Sequence, residues 1–539
     1  MKRTLAGMMM LVVSTSAFAA LSRDAAVDAS ERAAARLEAR GISRDRIAPS
    51  SVSTDEVGTT HVRFRQMING VPVFGRFIVT HEFRQGRMNH DGEMVGAGFP
   101  LSTEARISAQ DAVRAAIVDF GGDGVATAEL VVLPRNGAFV LAYDVDVKNT
   151  ARLNEEVAEP RRERMFIDAH TGATLERFNN LMTAKPGSGG GGTGGTVTAT
   201  TGVAYGYYAG TVAALPIGLS GTTYVMQDVA NNGKTYDFAN NTCNIFGCGT
   251  NTGTLFTSTD NVFGTNGALT DRQSIGVDAH YFAQKTLAFY ASTYGRNGID
   301  NNNNKSLSMG HMVSRTHYGR AYNNAYWDGA SMTYGDGDGT TYNPFDALDV
   351  VGHEMTHGIT ERTSDLVYQN ESGAANESYS DIFGAMVEFK TPTMVGAGGK
   401  TYAADWFIGE DIYKVQDGTK AIRNMADTHQ QGDPDHYSER YVGTSDNGGV
   451  HTNSGIQNKV FYLLAQGGTH HIGGAVTAIG LDNAAKVAFN ALTVYTTNSN
   501  ATYAETAKAW VTAANNLFGS TVAGQVRSAW VACGVTPAP

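Results

Sequence analysis

The chain has 539 residues, 42% apolar and 17% charged, enough to fill more than one buried core. Three cysteines exclude a disulfide scaffold, and the composition excludes a disordered tail or a collagen. The net charge is −11, with the acidic excess almost wholly after residue 184, which argues against nucleic acid as a partner because phosphate binding needs a basic face.

Lys2 and Arg3 precede an uncharged run from Leu5 to Val13, and Ala17-Phe18-Ala19 supplies small residues two apart. This is the layout of a secretory signal peptide over 1–19, and the apolar run is too short to span a bilayer. No later stretch is long and apolar enough to do so, so an exported, extracellular protein with no membrane partner is expected. In an oxidising space Cys243 and Cys248 can pair, leaving Cys533 odd.

Residues 20–184 follow, rich in Arg and Glu. Alternating apolar and polar residues over 62–82 around Asn69-Gly70 predict a β-hairpin. Ser108 is placed to cap a short amphipathic helix, and strands are predicted at 138–147 and 163–168. The region reads as a folding or inhibitory module. The tract GSGGGGTGG (187–195) marks a flexible linker, assigned to 185–196. Residues 197–345 are rich in Gly, Thr, Tyr and Asn and predict strands with one helix at about 275–294. From 346 to 539 helical periodicity dominates, at 347–361, 373–390, 453–465, 472–480, 482–495, 502–516 and 520–532. A β-rich lobe followed by an α-rich lobe implies an α+β fold with a cleft between lobes.

The chemistry concentrates in the second lobe. In His353-Glu354-Met355-Thr356-His357 the two imidazoles lie one helical turn apart and can grip one ion, with Glu354 offset to reach a water on it. Two surface histidines and a solvated Glu would be the bland alternative. Against it, Glu377 lies twenty residues on in a second helical pattern and can supply a third ligand, leaving a fourth position open, as in a catalytic zinc site. Asn376 and Asp381 are placed to hold the outer ring nitrogens of the two histidines. His451 sits at the mouth of a later helix, where Asp446 can orient it, and a His with a Tyr can serve as oxyanion donors. YGDGDG (334–339) lacks the Lys of a phosphate loop and the terminal Glu of an EF-hand, so a glycine turn near the cleft is expected. His470 and His471 are expected to point apart in a loop.

The segments VVGHEMTHGITERTSDLVYQNESGAANESYSDIFG (350–384), NNAYWDGASMTYGDGDG (323–339) and GDPDHYSERYVGTSDNGGVHTNSGIQNK (432–459) resemble thermolysin-family metalloproteases, over essentially all of 197–539. The part before the linker resembles that family's propeptide. An FTP-type motif covers about 45–95 and a PepSY-type module about 105–180, and the resemblance implies a self-processing zymogen whose propeptide aids folding and inhibits. It also implies a thermolysin-like two-lobe catalytic domain with one catalytic zinc on His353, His357 and Glu377, Glu354 as general base, and Tyr368 and His451 as transition-state donors. Arg423, Asn324 and Ala325 are implied to contact the substrate backbone. Tyr342, Phe345, Val350, Ile408 and Ile422 match the side-chain pocket, so cleavage on the N-terminal side of bulky apolar residues of protein and peptide substrates is expected.

Asp349, Glu388, Asp405 and Glu410 match an interior calcium site for one or two ions. Outer calcium positions carry Ser258, Lys414 and Lys420 instead, so fewer ions than in thermolysin are expected. The chain is expected to be a monomer. An inactive zinc-binding module would lack Glu354 or the donors, and a hydrolase of non-peptide substrates is disfavoured by the apolar pocket.

Overall fold

The computed structural model describes residues 23–95, 101–122, 124–148, 161–183, 197–240 and 253–539. The expected signal peptide, the linker, Cys243 and Cys248 lie outside the described residues. Cys533 is a buried free thiol.

In the N-terminal part, helix α1 (Arg23–Glu38) packs Ala29, Ala33 and Leu37 against Val62, Phe64 and Ile78 of a sheet. The expected hairpin forms, Thr60–Ile68 against Val71–Glu82, turning at Asn69-Gly70. Helix α2 (Ala109–Phe120) begins at Ser108, whose side chain exchanges hydrogen bonds with Asp111 in a capping box. Ala112, Ala116 and Phe120 of α2 pack on Val132, Leu141, Val145 and Met165. The strand Val125–Arg135, absent from the sequence reading, sits centrally between Val71–Glu82 and Ala138–Lys148 in an eight-stranded sheet.

Beyond residue 196, a five-stranded sheet and a seven-stranded sheet, whose edge strand Met182–Thr183 comes from the N-terminal part, flank α3 (Arg272–Tyr294), capped by Asp271 and by Gly295 in the left-handed conformation. The helical lobe then supplies α4 (Leu348–Glu361), α5 (Asn370–Phe389), α6 (Asp446–Gln466), α7 (Leu481–Asn490), α8 (Tyr503–Phe518) and α9 (Ser520–Ala532). The predicted helix at 472–480 does not form. Gly468–His470 pairs instead with Gly474–Val476 as a hairpin. There Gly473 lies so close to α9 that a Cβ would sit 1.8 Å from the Ala532 carbonyl oxygen, a contact only glycine permits.

Two arginines tie the N-terminal part to the end of α4. Arg162 forks between Asp146 (2.7 Å) and Glu361 (3.0 Å), and Arg164 between Asp144 (2.7 Å) and Asp365 (3.1 Å). Glu361 also accepts from Trp327 Nε1 at 2.7 Å. Arg162→Ala strands the Glu361 carboxylate in a largely buried position. We expect the N-terminal part to bind the rest of the chain at least about 30-fold more weakly, about 2 kcal/mol, the low end for truncating one partner of a buried pair. Competition between the separated parts measures this, and an unchanged affinity would count against the ion pair.

Candidate active site

Helices α4 and α5 cross at backbone contact. A Cβ on Gly352 would lie 3.1 Å from Gly384 Cα, and one on Gly384 would lie 2.6 Å from the Asp349 carbonyl oxygen. The crossing sets His353 and His357 of α4 against Glu377 and Asp381 of α5, all buried. His353 Nε2 and His357 Nε2 are 3.0 Å apart. Glu377 brings Oε2 to 3.5 Å from the first and Oε1 to 3.3 Å from the second. Glu377 Oε2 is buried and accepts no hydrogen bond. Two imidazoles and a carboxylate with an unsatisfied oxygen fit the donor set of a zinc ion with one position left open.

The outer nitrogens are held from behind. His353 Nδ1 donates to Asp381 Oδ1 at 3.0 Å, and His357 Nδ1 to Asn376 Oδ1 at 2.9 Å. Both contacts direct Nε2 towards the shared centre. Ser380, which the sequence reading did not single out, lies 3.1 Å from His357 Nδ1. Asp381 in turn takes both arms of Arg423 at 2.7 Å and Asn458 Nδ2 at 2.8 Å. Arg423, implied to contact substrate, is therefore buried against Asp381, with Nη2 3.5 Å from Glu377 Oε2.

Glu354 is fully buried; at His357 burial would lower the pKa, but Glu377 and, after it, Glu354 raise it. Tyr368 donates to Glu377 Oε1, and its hydroxyl lies 3.2 Å from His451 Nε2. At the start of α6, Asn447, Gly448 and Gly449 take positive φ and fold Asp446 back on His451. Asp446 accepts the His451 N–H at 2.9 Å and Nδ1–H at 2.6 Å. Burial alone would lower the His451 pKa, but the Glu377 carboxylate and Asp446 raise it to about 9. Burial would raise Glu377, yet His451, His353 and His357 hold it well below the usual carboxylate range.

Asn324 precedes the strand Ala325–Trp327, and its Oδ1 accepts the Ala325 N–H at 3.0 Å. That strand is paired antiparallel by the chain's own Met182 and Thr183, opposite Trp327 and Tyr326. Met182 Sδ lies 3.8 Å from Asn376 Nδ2, beside the histidine ligands. The occupying strand was missed from sequence, although Leu181-Met182 is an apolar pair just before the glycine tract. Of the expected pocket residues, Phe345, Val350 and Ile408 are buried, with Tyr342 and Ile422 packed against the same cluster. In 334–339 the expected turn is only partly found: Tyr334 and Gly335 end the strand Met332–Gly335, and the chain bends just after, where Asp338 Oδ1 accepts N–H groups of Thr340, Thr341 and Tyr342.

Behind α4 lies a carboxylate cluster. Glu388, Glu410 and Asp411 bring one oxygen each within 4.8 Å of one another. Asp411 was not among the expected members. Asp349 is spent on backbone N–H groups of Val350 and Gly409, and Asp405 on Phe407. Glu388 Oε2 and Glu410 Oε2 are buried and accept no hydrogen bond. Burial, then mutual repulsion, pushes Glu388 and Glu410 well up, Asp411 to about 7 and Asp349 to about 6. At the expected outer positions, Ser258 donates to Asp260 at 2.7 Å and Lys414 Nζ to the Gly339 carbonyl.

Comparison with known proteins agrees with this geometry. Residues 201–361 match the family model of the thermolysin metallopeptidase catalytic domain, 364–535 that of its alpha-helical domain, and 45–90 the fungalysin/thermolysin propeptide motif. The chain is 39% identical over 527 residues to thermolysin of Bacillus sp. (strain EA1), covering 92% of this chain and 87% of that one. It is 38% identical over 480 residues to bacillolysin of Brevibacillus brevis, covering 86% and 80%. Among solved structures, the precursor of protealysin from Serratia proteamaculans aligns at 31% identity, over 56% of this chain and 87% of that one, with a TM-score of 0.45.

The carboxylate cluster generates a pH dependence. A carboxyl raised in the fold holds protons that the unfolded chain has already released. Its stabilising contribution is full below about pH 4 and is lost as pH rises through the folded values of about 6 to 7. With zinc fixed and other divalent ions removed, the melting temperature should fall between pH 5 and 8, and Asp411→Asn should flatten that slope. A slope identical in the variant would show that Asp411 is not crowded.

Proposed function

The chain belongs to the thermolysin metallopeptidase family and is a zinc endopeptidase made as a zymogen; we propose that it is exported and cuts peptides on the N-terminal side of bulky apolar residues. The observation that carries the reading is the convergence of His353, His357 and Glu377 with the Tyr368–His451 pair. Among the described residues no helix is long and apolar enough to cross a membrane.

Zinc, when bound, lowers the pKa of a coordinated water and polarises the peptide carbonyl. In this reading Glu354 accepts the proton of the attacking water and passes it to the leaving amine. His451, kept protonated by Asp446 and Glu377, and the Tyr368 hydroxyl donate to the carbonyl oxygen as charge builds on it. Asn324 and Ala325 align the substrate backbone along their strand. Arg423 serves first as the countercharge that lets Glu377 and Asp381 stay ionised together. Tyr342, Phe345, Val350, Ile408 and Ile422 line the side-chain pocket. The carboxylates Glu388, Glu410 and Asp411, with Asp349 and Asp405 beside them, hold one or two calcium ions, because a hard cation with oxygen ligands relieves their repulsion. The propeptide inhibits by lending Met182 and Thr183 to the strand that substrate would use.

Glu354→Gln keeps the size of the side chain but cannot take a proton. Peptide hydrolysis should fall by about 10²–10⁴ or more with zinc content unchanged. An active variant would remove Glu354 from the mechanism, and chelator-resistant cleavage by the parent chain would remove the metal. On a peptide library, Leu, Phe, Ile or Val should follow the cut. Asp or Lys there should lower kcat/KM by roughly 100-fold, since burying a charge in the apolar pocket costs several kcal/mol. A preference for a charged residue after the cut would refute the pocket assignment.

A further inference from the structure

Away from the catalytic centre, three segments of the helical lobe bring a second set of ligating side chains together. His429 lies in a short turn at Thr428–Gln431, Glu439 in another at Tyr437–Glu439, and His471 in the loop of the 468–476 hairpin. Asp435 lies between the two turns. His429 Nε2 is 3.2 Å from Glu439 Oε2 and 3.9 Å from Asp435 Oδ1. His471 Nδ1 is 3.5 Å from Asp435 Oδ2, and its Nε2 is 3.8 Å from Glu439 Oε1. One donor atom each from His429, Asp435 and His471 falls within 4.8 Å of the others. Contrary to the sequence expectation, His470 and His471 do not point apart. Their rings stack at 4.7 Å, and both face Asp435.

The charges make this more than a surface accident. Asp435 is 4% exposed, and its Oδ1 accepts no hydrogen bond. The nearest ammonium, Lys459, stands 4.0 Å from Oδ2. His429 and His471 are about half exposed, so an ion can reach them from solvent. Two imidazoles with two carboxylates form a nitrogen and oxygen donor set that suits zinc and its neighbours among the transition metals. Calcium and magnesium, which take oxygen ligands, are poorly matched.

We propose that His429, Asp435, His471 and Glu439 bind a second zinc-class divalent ion, which clamps the 428–439 segment to the 468–476 hairpin. The ion would be separate from the one held by His353, His357 and Glu377, and exchangeable because its histidines face solvent. The clamp would also secure the C-terminus, since Tyr437 N–H donates to the Cys533 carbonyl at 2.9 Å.

Equilibrium dialysis of the full chain against zinc, with elemental analysis, tests this at neutral pH. The parent chain should take two equivalents of zinc and His429→Ala/His471→Ala one, with the rate of peptide cleavage by the processed enzyme, per first equivalent, unchanged. Glu439→Gln, which keeps both imidazoles, should weaken the second equivalent by about tenfold or more. In His353→Ala the second equivalent should persist while the catalytic one is lost, which separates this site from the catalytic reading. A parent chain that saturates at one equivalent, or a double variant that still binds two, would overturn the proposal.

Discussion

The site depends on how closely α4 and α5 approach. Gly352 and Gly384 remove the side chains that would hold the helices apart, so His353 and His357 meet Glu377 directly. A methyl group at Gly384 would press on the Asp349 carbonyl and push the ligands out of range. The zinc motif therefore lies on one helix, but the zinc site belongs to a helix pair. Its geometry is set by two residues that touch no ligand.

That approach also concentrates negative charge. Glu377, Asp381, Asp349 and Glu388 are buried around the crossing, and the molecule balances them differently on its two sides. On the catalytic side Arg423 forks onto Asp381, and the histidines keep Glu377 ionised. On the far side burial and mutual repulsion push Glu388, Glu410 and Asp411 up, and the partly buried Lys400 offsets this only in part at Asp411. On the catalytic side the histidines and Glu377 are arranged for zinc, whereas on the far side the crowded carboxylates would be relieved by a hard cation with oxygen ligands. This is the physical content of the calcium reading.

Much of this was legible in the sequence because it is local. The HExxH pair and Glu377 are placed by helical periodicity, and Asn376 and Asp381 follow from the same helix. Asp446 beside His451 is legible because the pair is five residues apart. What was missed depends on packing between distant segments. The fork of Arg423 onto Asp381 spans forty-two residues and is invisible to periodicity. Asp411 joins the carboxylates through a loop. The helix expected at 472–480 lost to Gly473, whose close contact with α9 no local pattern encodes. His470 and His471 stack because Asp435, thirty-five residues before His470, draws both rings to one side.

The N-terminal part completes the charge argument. The mature lobes carry nearly all of the acidic excess, and Glu361 and Asp365 close the end of the zinc helix with two more carboxyls. Arg162 and Arg164 supply the positive charge there, and burial makes that neutralisation count for more than it would at a surface. Lys486 of α7 pairs with Glu56, and Arg63 donates to the Thr496 carbonyl at 2.8 Å, so the contact extends across the helical lobe. The same segment thus does two jobs through one interface. It offsets the charge at the α4 terminus, a contact suited to a folding aid. It then leaves Met182 and Thr183 along the Ala325–Trp327 strand, which is what an inhibitor must do. In the proposed reading, loss of the segment opens that strand edge to substrate and leaves Glu361 with the Trp327 N–H and the neighbouring Arg362 as its partners. On that reading, maturation would give up the Arg162 and Arg164 contacts at the end of α4 in exchange for access to the Ala325–Trp327 strand.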